Sequence, residues 1–125
     1  MAYLGSNITL PAGEIYVSMT KRTDWYDFIR GTANATQDGT LWVEQSFDPI
    51  AETSPSSAVW DYSHAIAVTA ASSSTSTANT TTSSKGVVFD DPVYGSFWRL
   101  RFKATASSDA NIRVHARLCG FGKFG

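Results

Sequence analysis

A chain of 125 residues is the size of one domain, and its 42% hydrophobic content, with four Trp, five Tyr and seven Phe, supplies one core without metals or disulfides. Ten Lys and Arg against eleven Asp and Glu leave a formal charge of −1, which gives no global electrostatic reason to bind nucleic acid or an anionic membrane. The one cysteine, Cys119, excludes an intrachain disulfide and reads as a free structural thiol.

In chain order, Met1 to Leu10 has neither a basic nor an apolar signal-peptide region, and nowhere do about 18 apolar residues run together. The expectation is a chain without a secretory signal or membrane span. Ser6 to Leu10 reads as a short edge strand, and Pro11-Ala12-Gly13 turns the chain into a clearer one, Glu14 to Thr20. There Ile15, Val17 and Met19 share one face, and Tyr16 and Ser18 the other. Trp25 to Ala33 and Thr40 to Phe47 follow, joined by a turn through Gln37-Asp38-Gly39, and are expected to pair as a β-hairpin. Leu41, Val43, Gln45 and Phe47 alternate with Trp42, Glu44 and Ser46. Asp48 to Ser57 is a loop, and Trp60 begins a patchy strand that continues through Ile66 and Val68.

Thr69 to Ser84 is a low-complexity Ala/Ser/Thr tract with nothing to offer a core: a surface loop, or an arm that pairs with a neighbour. After Gly86 to Asp90 come the two best-patterned segments. Trp98, Leu100, Phe102 and Ala104 alternate with Phe97, Arg99, Arg101 and Lys103; Ile112, Val114, Ala116 and Leu118 alternate with Asn111, Arg113, His115 and Arg117. Paired as a hairpin across Thr105 to Asp109, they are expected to present one apolar and one basic face. Residues 119–125 form a Gly/Phe tail whose Phe121 and Phe124 either fold back on their own domain or dock on a neighbour. With no sustained helical stripe, the fold class is all-β: a single antiparallel β-sandwich or jelly-roll-like domain, residues 1–118, of about seven or eight strands.

Chemistry-bearing patterns are sparse. His64 and His115 sit in no catalytic motif, and the serines near His64 lie in a tract without the fixed geometry nucleophilic catalysis needs. Glu44, Asp48 and Asp61 read as charges on a solvated strand face rather than as a hydrolytic pair, and Asp90-Asp91 lacks a calcium loop around it. No metal, cofactor or enzymatic activity is expected. The basic face holds Arg99, Arg101, Lys103, Arg113 and Arg117, half of the ten cations; together with Phe121 and Phe124 it is the candidate partner-binding surface. Alternatively, Trp42, Trp60 and Tyr62 are candidate stacking platforms for a carbohydrate, as in a receptor-binding module of a tail or fibre.

Three central segments carry a resemblance: Asp24-Trp25-Tyr26-Asp27-Phe28-Ile29-Arg30-Gly31-Thr32, then Asp38-Gly39-Thr40-Leu41-Trp42-Val43-Glu44-Gln45-Ser46-Phe47-Asp48, then Trp60-Asp61. They resemble small β-sandwich structural proteins of tailed bacteriophages, with a Gly-Thr-Leu hairpin, a Gln-Ser-x-Asp corner and a Trp-Asp pair. The chain departs from that pattern in the eleven residues between corner and Trp60 and in the expanded Ser/Thr tract. The resemblance implies a virion component, a capsid decoration or cement protein whose partner is the major capsid protein or another virion protein. It also implies a small oligomer, a trimer by preference, because shells offer multi-fold docking points.

Overall fold

The computed structural model describes residues 3–24, 26–70, 86–105 and 107–120. Nine strands order the described chain: β1 (Tyr3–Leu10), β2 (Ile15–Val17), β3 (Lys21–Arg22), β4 (Phe28–Ala35), β5 (Gly39–Ser46), β6 (Tyr62–Val68), β7 (Val87–Pro92), β8 (Phe97–Ala104) and β9 (Ala110–Cys119). They form two sheets, β1-β9-β4-β7 and β2-β8-β5-β6, with β3 also paired to β8; every pairing is antiparallel.

The pairs are nested. β1 meets β9, β2 and β3 meet β8, β4 meets β7 and β5 meets β6, as if one long hairpin had its bend at the β5–β6 loop. That hairpin is then rolled so that β9 also meets β4 and β8 also meets β5. With β2 and β3 counted as one interrupted strand, this is the eight-stranded double-sheet jelly roll, and the all-β sandwich expectation holds. Ser18 bridges the interruption: its Oγ accepts the amide of Leu100 at 2.8 Å, and its own amide donates to the Leu100 carbonyl at 2.9 Å.

Two expected pairings are corrected by this topology. The segments around 25–33 and 40–47 do not form a hairpin: β4 lies in the first sheet and β5 in the second. Nor do β8 and β9 pair; the link at 105–109 carries the chain from one sheet to the other. In both cases the alternation is right about Leu41, Val43, Trp98, Leu100, Phe102, Ile112, Val114 and Leu118, which face inward, but not about Phe47, which lies past the end of β5 and is 61% exposed. The inward faces, however, meet across the core instead of lying side by side. Other differences are local: the strand expected at 14–20 is broken after Val17, the strand expected from Trp60 begins at Tyr62, and the last strand runs on to Cys119. Trp25, nearly all of the Ser/Thr tract, Phe121 and Phe124 lie outside the described residues.

The core is filled from both sheets, by Ile29, Phe89, Ile112, Val114 and Leu118 on one side and Tyr16, Leu41, Val43, Trp98, Leu100 and Phe102 on the other. Each such side chain, fully buried, contributes about 1.5–3 kcal/mol. Gly31 pairs with Phe89 on one side and Ala116 on the other, and a Cβ there would stand 2.7 Å from Phe89 Cζ. The missing side chain lets the Phe89 ring lie across β4. At the lateral seam between the edge strands β6 and β7, His64 Nδ1 lies 2.9 and 3.0 Å from the two carboxylate oxygens of Asp91, which is 2% exposed.

Candidate functional site

The outer face of the second sheet brings together the most chemistry. Alternation turns Arg99, Arg101 and Lys103 of β8 outward, and the register sets Glu44 of β5 opposite Arg99 and Trp42 opposite Arg101. The β5–β6 loop folds back over this face and adds Trp60.

That loop is built by the corner residues. Gln45, buried between the sheets, donates from Nε2 to the Pro92 carbonyl at 2.8 Å, while its Oε1 accepts the amides of Tyr94 at 2.6 Å and Gly95 at 2.9 Å. Ser46 Oγ donates to the Val59 carbonyl at 2.5 Å and accepts the Asp48 amide at 2.9 Å. Asp48 accepts the amides of Ile50 at 3.1 Å and Val59 at 3.0 Å, and Asp61 accepts the Phe47 amide at 2.9 Å. Trp60 is then fixed by its Nε1–H, which donates to the Pro55 carbonyl at 2.9 Å. A buried side-chain amide that satisfies three backbone groups costs several kcal/mol to remove, because each partner is left unpaired away from water.

The result is an ordered array. The Arg99 guanidinium lies 3.9 Å from the Trp60 ring centre, and its Nε donates to Glu44 Oε1 at 2.8 Å. Glu44 Oε2 lies 3.4 Å from Arg101 Nη2, and Arg101 in turn lies 4.7 Å from the Trp42 ring centre. Glu44 is 5% exposed, so its expected place on a solvated face is corrected: two guanidiniums and the Ser63 hydroxyl lie against its carboxylate. Two guanidiniums share this one carboxylate and Lys103 lies exposed on the same face, so the face keeps a positive surplus; Arg101 Nε is buried with no hydrogen-bond partner. Beside it runs a stripe that sequence reasoning missed, with Ile15, Val17 and Met19 all exposed. The signal was present: Tyr16 and Ser18, on the alternate positions, are the ones the sheet buries, opposite Phe102 and beside Leu100.

The expected single basic surface is therefore split. Arg99, Arg101 and Lys103 lie on the second sheet, whereas Arg113 and Arg117 project from β9 on the first, on the opposite side of the molecule. Of the sugar-stacking candidates, Trp42 and Trp60 each present a ring face to a guanidinium, and Tyr62 sits at the β6–β7 seam with its ring 4.9 Å from that of Tyr94. Burial, then the negative charge of Asp91 and then Tyr94 hold the Tyr62 hydroxyl above its ordinary pKa of 10.0. Among the described residues no group of three His, Cys, Asp or Glu is placed to hold a metal ion, and no helix is long and apolar enough to cross a membrane.

Fold and face together define a jelly-roll domain with an aromatic–cationic array on the outer face of its second sheet. No family model matches the sequence, and no curated protein matches it. Among solved structures the chain is similar to the crystal structure of the PBSX exported protein XepA, with a TM-score of 0.69 and 16% identity over 95% of this chain. The match covers 37% of that protein, so this chain spans little more than a third of its length, and at this identity the likeness is one of fold.

Proposed function

We propose that this chain is a bacteriophage virion structural protein that decorates the head shell, docking through the outer face of the second sheet. The observation that carries the reading is the pre-assembled Trp60–Arg99–Glu44–Arg101–Trp42 array next to the exposed Ile15–Val17–Met19 stripe. Trp and Arg anchors beside apolar surface are the composition of binding hot spots. Side chains already held in place lose little further entropy on docking. The surplus cations call for an acidic partner surface.

Two further facts support a phage setting. The Gln-Ser-x-Asp corner and Trp-Asp pair behind the sequence resemblance are the residues that hold the β5–β6 loop, and the fold is shared with a phage-related protein, the PBSX exported protein XepA. A decoration protein works by mass action: binding only the closed shell, it stabilises that shell against rupture. Sugar stacking is the less favoured use of this face, because guanidiniums already occupy a side of both indoles.

Shells lacking the protein, mixed with purified protein, should show saturable co-sedimentation and a higher temperature of DNA release. Val17→Asp and Lys103→Glu, both at exposed positions, should weaken binding about tenfold or more. Failure to bind shells, or full binding by both variants, would sink the proposal.

A further inference from the structure

Charge is sorted by position in this molecule. Every Lys and Arg among the described residues lies on a strand, whereas eight of the eleven Asp and Glu lie in the connections between strands. The flanks of the jelly roll are therefore basic and its ends acidic.

The sorting is sharpest between one end and one flank. Loops 23–27, 47–61 and 93–96 gather at a single end, as the bonds from Gln45 to Tyr94, from Ser96 to Ser46 and from Val93 to Asp27 require. This end carries Asp24, Asp27, Asp48, Glu52 and Asp61, and it projects apolar side chains, with Phe47 61% and Val59 62% exposed and Tyr94 close behind.

The outer face of the first sheet is its counterpart. Arg117 of β9 stands directly across from Arg30 of β4, a like-charge pair that disfavours the sheet unless an anion lies near. Arg30 has Asp90 at 3.1 Å, but neither Arg113 nor Arg117 has a carboxylate partner among the described residues. Beside Arg117 lies a depression of about 420 Å³, framed by Arg30, Thr32, Val88, Asp90, His115 and Arg117, with Val88 80% exposed at its rim. The end is acidic and apolar, its one cation, Arg22, paired with Glu52 at 3.1 Å; the first-sheet flank is basic and apolar.

We infer that the first-sheet flank of one copy receives the acidic end of a second copy, with Phe47 seated in the depression and the loop carboxylates against Arg113 and Arg117. The contact is heterologous, a head-to-flank join between unlike surfaces, so it propagates into a ring or an open chain rather than closing a two-fold dimer. Its receiving flank lies opposite the face assigned to the shell, while its inserted end shares the 47–61 loop that carries Trp60; it does not rest on shell binding.

Sedimentation velocity across a concentration series tests this. The wild-type protein should sediment faster as concentration rises at about 0.1 M salt and revert to monomer near 1 M, as the screening length falls from about 10 to 3 Å. Arg113→Glu/Arg117→Glu should raise the dissociation constant about tenfold or more, and so should Glu52→Lys combined with Phe47→Ser. Circular dichroism of each variant checks that it is folded. A protein that stays monomeric at every concentration, or association that survives both sets of substitutions, overturns the inference.

Discussion

The two outer faces of this jelly roll carry the same residue type at equivalent alternating strand positions, yet hold it differently. On the second sheet, Arg99 and Arg101 find Glu44 and Trp42 directly across the ladder, and the Arg99 side chain is only 13% exposed. On the first sheet, Arg117 and Arg113 find Arg30 and Asn34, and both project into solvent. The strand that arrives alongside, rather than the arginine itself, decides whether a cation becomes part of the scaffold or remains free. A count of basic residues cannot separate those cases; the register can.

The largest expected effect sets the two faces against each other. Glu44→Ala leaves two guanidiniums without their shared carboxylate in a partly water-excluded site, and should cost about 3 kcal/mol of stability. Asp90→Ala removes the partner of the exposed Arg30 and should cost no more than about 0.5 kcal/mol. Urea unfolding of the two variants under identical conditions measures both. Equal losses would mean that the second face is no more locked than the first.

The inward residues were legible in the sequence because a strand's period of two is set by covalent geometry. Trp98, Leu100 and Phe102, and likewise Ile112, Val114, Ala116 and Leu118, alternate plainly and are all buried. Which strand lies beside which was not legible. A three-residue link such as 36–38 fits a hairpin or an arch between sheets equally well, and the apolar pattern is the same for both. The site was partly legible: the Gln-Ser-x-Asp corner and Trp-Asp pair stood out as a resemblance. Their physical role appears only when Tyr94 and Gly95, 49 and 50 residues away from Gln45, supply the amides it holds. Glu44 was misread for the same reason, since burial of a charge depends on partners that no local window contains.

A finer test concerns how Arg99 is held. Lysine keeps the charge but loses the flat guanidinium that covers the Trp60 ring and the Nε that reaches Glu44. Arg99→Lys should cost about 1 kcal/mol and alter the emission of Trp60 as one ring face is uncovered. Arg117→Lys on the opposite face should change neither stability nor tryptophan emission. An Arg99→Lys variant indistinguishable from wild type in both readouts would reduce the array to a solvated cation cluster and erase the contrast between the faces.

The smallest expected effect lies at the seam where the two sheets meet, and it shows whether the seam belongs to either face. Tyr62 of β6 is held protonated beyond its ordinary pKa of 10.0, first by burial and then by Asp91 and Tyr94. Its phenolate is therefore less favourable in the folded chain than in the unfolded one. The stability associated with this group is complete below pH 10 and declines as pH climbs toward the raised folded value, because the unfolded chain releases the proton more readily. Tyr62→Phe should flatten that alkaline decline, followed as the denaturant midpoint against pH. Glu44→Ala should leave the slope unchanged while lowering the whole curve, since Glu44 acts on the outer face and Tyr62 at the seam. If Glu44→Ala abolished the alkaline decline, seam and outer face would be one coupled network, and the second sheet's rigidity would extend to the edge where His64 meets Asp91.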